Sequence, residues 1–273
     1  MIFGVKKATA WLGHAVGRLV HPGRHWLDID MLNIGLRDFP AAFDGYRIAL
    51  FSDLHFDGVS TTSARLRELV DAINGQQPDL IAFTGDFISY QMPYNEQDLI
   101  EALRDMQARD GKVAVMGNHD GRQNSDPIRH VIRESGMIDL DNAVYSIQRG
   151  ETQLHIAGVD SLIRHRARLD LVMQQLPPTG SAILLAHEPA FADVSAATGR
   201  FALQLSGHVH GGQIRIPGLT PLLLRGVDPR FLRRAALIGT LPLYINRGIG
   251  MTGLLLRFRC HSELTIMTLK KIG

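Results

Sequence analysis

The sequence predicts an α/β fold in which a sheet gathers one chemical site, and three observations carry that prediction. Five short apolar runs (Arg47–Phe51, Asp79–Phe83, Lys112–Met116, Ser181–Leu185 and Phe201–Leu205) each stop at a small residue and then present Asp, Asn or His. Helix-length segments, Ser63–Asn74 and Glu96–Ala108, separate the first three runs. Gly85, Gly117 and Gly207 stand beside those polar residues, where bulk would block whatever the site holds. A sheet that collects ligands beyond the carboxyl ends of its strands produces this pattern.

The remaining elements follow in order. Trp26–Leu36 alternates apolar and polar residues, as a half-exposed strand does, and Pro40–Gly45 is a turn. Asp126–Ser135 reads as a helix with Asp126 at its N-cap and Pro127 at its first position. Ala143–Ile147 and Gln153–Gly158 read as antiparallel strands, and Leu169–Leu176 as a short helix stopped by Pro177 and Pro178. Tyr244–Asn246 and Glu263–Leu269 are closing strands.

Composition narrows the function. With 273 residues, 45% of them hydrophobic, the chain can bury a large core. A net charge of +2 and the lack of a basic–aromatic stripe exclude a nucleic-acid module. The single cysteine, Cys260, excludes an intramolecular disulfide and a thiolate metal cluster.

Residues 1–24 read as an appendage to a domain spanning 25–273. Ile2, Val5, Leu12, Val16 and Leu19 share one helical stripe, with Lys7, His14 and Arg18 opposite. Such a segment either lies on an anionic membrane surface or packs on its own domain. His14 and Arg18 interrupt the apolar stretch and no cleavage site follows. The expectation is therefore a cytoplasmic protein, with peripheral contact to the inner face of the cell membrane through residues 1–20 as its membrane form.

The polar residues at the strand ends are Asp53, His55, Asp86, Asn118, His187, His208 and His210, seven oxygen or nitrogen donors. In extended backbone His208 and His210 point to one side, as do Asp53 and His55. Seven donors exceed one tetrahedral ion and suit two divalent cations sharing a carboxylate, about 3.5–4 Å apart. Mn, Fe, Zn, Ni and Co all fit such a donor set. Two such ions would acidify a water to hydroxide, chemistry suited to attack on phosphorus. His119 is then the acid that protonates the leaving oxygen, and Asp120 the residue that orients its ring.

Two basic stretches are candidates for substrate contact beside Asn118 and His119. The loop Asp160–Arg168 carries Arg164, His165, Arg166 and Arg168, and reads either as solvated or as a phosphate contact through Arg164. The stretch Ile216–Leu243 interleaves leucines with Arg225, Arg230, Arg233 and Arg234. It reads either as a packed excursion or as a seat for acyl chains, with Arg225 meeting an anionic group.

The ordered set D-x-H, G-D, G-N-H-D, a lone histidine before Glu188-Pro189, and G-H-x-H-G-G-Q resembles the calcineurin-like metallophosphoesterase superfamily, from about Arg47 to the C-terminus. That resemblance implies a four-layer sandwich of two mixed β-sheets flanked by helices. It also implies Asp53, His55, Asp86 and His210 around one metal, and Asp86, Asn118, His187 and His208 around the other. Asp44–Ile48 and Asn246–Gly250 look like small bacterial membrane-associated phosphodiesterases of this superfamily, some of which are UDP-2,3-diacylglucosamine diphosphatases of lipid A synthesis. The chain departs from that subgroup in three places. It lacks a twin arginine, a proline near Leu255, and a Pro-Pro-Glu at His261–Glu263. The expected function is hydrolysis of a phosphodiester or pyrophosphate by a metal-bridging hydroxide, on a lipid-linked substrate. A soluble phosphodiesterase or phosphatase for nucleotides or phosphoprotein is the alternative, and a non-catalytic scaffold a distant third.

Overall fold

Strands that read as continuous apolar runs must be covered on both faces, and the computed structural model shows the two covers. It describes residues 26–89, 94–122, 124–216 and 228–272. The stripe within residues 1–20 and Arg225 lie outside the described residues.

One sheet has the order β1-β12-β2-β3-β4-β5. These strands are Leu27–Arg37 (β1), Ser262–Ile272 (β12), Arg47–Phe51 (β2), Leu80–Phe83 (β3), Lys112–Ala114 (β4) and Ile138–Asp139 (β5). β2 to β5 run parallel, while β12 is antiparallel to β2 and pairs with β1. The second sheet has the order β10-β11-β9-β8-β7-β6. Its strands are Ala235–Ile238 (β10), Leu241–Ile245 (β11), Leu203–Ser206 (β9), Ser181–Ala186 (β8), Thr152–Val159 (β7) and Ala143–Arg149 (β6). β11, β9, β8 and β7 are parallel, with antiparallel strands at both edges.

Alternation along β2 sets the layers. Ile48 and Leu50 enter a core between the sheets with Leu80, Ala82, Ile183, Leu185, Leu203 and Leu205. Ala49 and Phe51 face the other way, into a core closed by three helices. These are α1 (Ser63–Gly75), α2 (Glu96–Asp105) and α3 (Asp126–Glu134). The outer face of the second sheet, with Ala182, Leu184, Leu243 and Ile245, is covered by the region of α4 (Leu169–Gln175) and α5 (Ala192–Ser195). The α/β class and the four layers are therefore as expected.

Local chemistry explains the helix starts. The Thr62 side chain accepts the Arg65 N–H at the start of α1, and Asn95 accepts those of Gln97 and Asp98 at the start of α2. One expectation changes at α3: Ser125, not Asp126, is the N-cap, and Pro127 sits within the first turn. Asn124 Oδ1 accepts the Asp126 N–H, so the turn before the helix does part of the capping. Among the described residues no helix is long and apolar enough to cross a membrane.

The architecture explains why five strand ends meet. The carboxyl ends of β2, β3 and β4 in one sheet and of β8 and β9 in the other open onto the same edge of the sandwich. Asp53 N–H bonds to Gly85 O, Val115 N–H to Phe83 O and Gly207 N–H to His187 O, so each loop is fastened to its neighbour.

Candidate metal centre

The seven expected donors come together as two clusters. In the first, His55 Nε2 lies 3.2 Å from His210 Nε2, and His210 Nε2 lies 3.3 Å from Asp53 Oδ1. In the second, His187 Nε2 lies 3.1 Å from Asn118 Oδ1 and 3.3 Å from His208 Nδ1. Asp86 joins them: its Oδ2 stands 3.5 Å from His55 Nε2 and 3.3 Å from His187 Nε2. Ligand atoms of Asp53, His55 and His210, and of Asp53, Asp86 and His187, form groups whose atoms all lie within 4.8 Å of one another.

The path of the chain through the pair His208–Val209–His210 departs from the sequence reading. The segment is not extended; His208 has φ 71° and His210 φ 50°, and a 3-10 turn begins at His210. The two rings consequently serve different clusters instead of sharing a side. Asp53, His55 and Asp86 also have positive φ, at 49°, 42° and 60°. Five of the seven donors thus occupy the left-handed region, which costs a side-chain-bearing residue of order 1–3 kcal/mol and persists where the surroundings over-determine it.

Those surroundings are visible. Asp53 accepts the His208 N–H on both oxygens, at 3.1 and 2.9 Å. His119 N–H donates to Asp86 Oδ1 at 2.8 Å, which leaves Oδ2 for the clusters. Thr84 O lies 2.7 Å from His187 Nδ1 and Ser89 Oγ lies 3.1 Å from His55 Nδ1, partners that orient the rings. Two glycines make close approach achievable. A Cβ on Gly117 would stand 2.5 Å from Asp86 N, and one on Gly248 2.7 Å from Asp53 Cβ.

The electrostatics fit cations. Burial holds His55 and His208 down at about 4, and His210 well below its usual range, so these rings stay neutral with lone pairs to give. Burial also opposes charge on His187, but Asp86 and Asp53 pull its pKa well above the ordinary value. Asp86 shows the reciprocal effect: burial raises it, and the charge of His187 outweighs burial and holds it well below the carboxylate range. Acceptor atoms of Asp86, Asn118 and His187 converge within hydrogen-bond distance, an arrangement that calls for positive charge between them. Two divalent cations meet that demand, and a proton on His187 answers it only in part. The residues therefore fit two divalent ions.

One other expectation resolves differently. Asp120 does not orient the His119 ring. Its Oδ2 accepts the N–H groups of Asp86 and Gly117, and its Oδ1 those of Phe87 and Ile88. It knits the β3 and β4 loops together, because backbone donors in this buried crossing have no other acceptor. Asp120→Asn is expected to leave some of these amides facing an NH₂ group, destabilising the fold by about 3 kcal/mol. A thermal melt combined with metal analysis checks this, and an unchanged Tm would refute it. The His119 side chain is half-buried, its ring edge-on to His55 with centroids 4.9 Å apart.

The loop Asp160–Arg168 is not simply solvated. Arg164 Nε donates to Asn118 O at 2.7 Å and Arg166 Nη2 to Gly121 O at 2.8 Å. In the stretch Ile216–Leu243, by contrast, Arg230 pairs with Asp193 and Asp228, and Arg234 with Asp30 and Glu263. Those two arginines are paired with carboxylates of the chain itself.

Sequence reasoning did not single out Arg257. This buried side chain donates to the carbonyls of Gly248, Gly250 and His210, bracing the Asn246–Gly250 loop against the histidine loop. Its only sequence signal is a charged residue between apolar neighbours, Leu256 and Phe258.

The comparisons agree with this geometry. A model of the family described as calcineurin-like phosphoesterase matches residues 46–212, a span that holds all seven donors. The chain is 33% identical over 267 residues to the uncharacterized metallophosphoesterase YkuE of Bacillus subtilis, covering 96% of this chain and 91% of that one. It is 28% identical over 243 residues to the metallophosphoesterase YkoQ of the same organism, with 87% and 88% covered. Phosphodiesterase YaeI of Escherichia coli is 27% identical over 232 residues, with 82% of each chain covered. On the matched motifs and the two clusters that they build, the chain belongs to the calcineurin-like phosphoesterase family.

Proposed function

We propose that this metallophosphoesterase hydrolyses a phosphodiester or diphosphate bond whose substrate carries an apolar, lipid-linked group. Asp86 is the observation that carries the hydrolytic reading, since one carboxylate oxygen faces the imidazoles of both clusters. Bound there, two divalent cations supply Lewis acidity and an acidified water. Asp53, His55, Asp86 and His210 would hold one ion, and Asp86, Asn118, His187 and His208 the other. Asn118 adds an oxygen without adding charge. His119, fixed through its N–H on Asp86, stands at the rim where it passes a proton to the leaving oxygen.

The choice of bond is supported by the relative whose printed name is phosphodiesterase YaeI. The lipid part is supported by an apolar rim. Met251 to Leu256 form a loop whose Leu254 is 61% exposed. Gln213, three residues after His210, ties that loop to the site: its Nε2 donates to the carbonyls of Thr252 and Leu254, and its Oε1 accepts the Thr252 N–H. Peripheral membrane contact through residues 1–20 belongs to the same reading.

The test is an assay of the Mn²⁺-supplied protein on UDP-2,3-diacylglucosamine and on bis-p-nitrophenyl phosphate. His119→Ala is expected to lower kcat on the lipid nucleotide by about 10²–10⁴-fold with two metals retained, and to matter less for p-nitrophenol, a leaving group that needs little protonation. Turnover of the generic diester alone would remove the lipid argument. Failure to cut either compound with both metals bound would favour the scaffold.

A further inference from the structure

The residue after a ligand histidine, Glu188, is 3% exposed and supplies no ligand atom to either group found among the described residues. Its carboxylate is spent on another loop. Oε2 accepts the Leu162 N–H at 2.9 Å, and Oε1 accepts the Ser161 hydroxyl and the Ile163 N–H. Ser161 Oγ in turn accepts the Arg164 N–H at 3.2 Å. A buried acid fully engaged with one short loop fixes that loop's position, because each donor abandoned in the interior would cost about 1–3 kcal/mol.

What the loop delivers is Arg164. Its Nε is held on the carbonyl of Asn118, whose own side chain faces His187. The side chain is half-buried, and among the described residues its Nε bond to Asn118 O is joined by no ion pair. The other two arginines of the loop are committed: Arg166 to Gly121 O, Arg168 to Asp170. With Nε anchored, the two Nη groups form a planar fork directed away from the anchor, the geometry that takes two oxygens of one phosphoryl group.

We propose that Glu188 positions the loop 161–164 so that Arg164 forms a subsite for a second phosphoryl group next to the one held at the metal centre. The inference rests on the phosphoesterase reading and makes its substrate a diphosphate rather than a lone phosphodiester. Glu188 is a positioning residue; Arg164 touches substrate.

The experiment compares a nucleoside monophosphate with the matching nucleoside diphosphate, UMP and UDP, as ligands of the Mn²⁺-loaded full chain. Affinities are read by calorimetry and, in parallel, as inhibition of bis-p-nitrophenyl phosphate hydrolysis. The wild type is expected to prefer UDP by about 10–100-fold, the range of one charge-assisted bidentate contact. Arg164→Gln is expected to collapse that ratio to within about 3-fold, and Arg164→Lys to restore part of it. Glu188→Gln is expected to reduce the same ratio while two metals per chain remain bound. Should Glu188→Gln fail to fold, Ser161→Ala interrupts the same link with a smaller change. A wild-type ratio near one, or a ratio that survives Arg164→Gln, overturns the proposal. So does loss of metal in Glu188→Gln with the ratio intact in what remains. Absence of any hydrolysis would instead count against the phosphoesterase reading, since calorimetry reports the ratio without turnover.

Discussion

Asp86→Asn is expected to lower kcat/KM by at least about 10³-fold, equivalent to ~4 kcal/mol of transition-state stabilisation, and to cut bound metal below two ions per chain. The expectation follows from position. Asp86 Oδ2 stands 3.5 Å from His55 Nε2 and 3.3 Å from His187 Nε2, while Oδ1 is already engaged by the His119 N–H. An asparagine keeps the shape and can keep the bond to His119, but it either turns an NH₂ toward two cations or offers them a neutral oxygen. Both choices remove the charge that balances the centre. Metal analysis by mass spectrometry and steady-state kinetics on bis-p-nitrophenyl phosphate decide the matter. Near-normal turnover with two ions bound would show that the centre does not bridge through this residue.

Gly117→Ala is expected to destabilise the protein by about 2–3 kcal/mol, lowering Tm by roughly 5–10 °C, and to abolish most activity. The reason is a backbone crossing. The new Cβ would lie 2.5 Å from Asp86 N and 2.7 Å from Asp86 Cγ, and closer still to Oδ1. Relief by movement of the β3 loop is blocked, because Gly85 packs in return on the backbone of Met116 and Gly117. Either the β4 loop retreats, carrying Asn118 and His119 away, or Asp86 turns and the shared oxygen leaves its place. Gly75→Ala is the matched control. It lies at the end of α1 with open space where a Cβ would stand, so the change is expected to be neutral or to stabilise by about 0.5 kcal/mol. Equal Tm values for the two variants would overturn the steric account.

Most of the strand framework was legible because its signals are local. Arg47–Phe51 and Lys112–Met116 announce themselves as short apolar runs ended by small residues, and the strands found there, β2 and β4, prove to be buried on both faces. The misses are elements whose definition depends on a partner. β5 has two residues and exists through its pairing with β4, and β10 is a half-exposed edge that forms against β11. Asp120 is the more instructive error. Beside His119 in the sequence, it suggested an acid–base dyad; in space it meets four amides from the crossing of β3 and β4, a meeting that no sequence neighbourhood reveals.

The sequence by itself determined the donor list, since aspartate, asparagine and histidine at strand ends have one collective use, and glycine beside them has a steric one. It also determined that the strands alternate with helices, because apolar periodicity is written along the chain. The family resemblance implied how the donors divide, and the tertiary structure shows the backbone that divides them. Left-handed backbone at Asp53, His55, Asp86, His208 and His210 turns residues that local periodicity would align toward different partners. Only it showed that Arg230 and Arg234 pair with carboxylates of the chain while Arg164 is carried to Asn118 by a loop fixed on Glu188. The physical reason is common to all of these: a residue's type limits its chemistry, but the charge, donors and space it meets are supplied by segments distant along the chain.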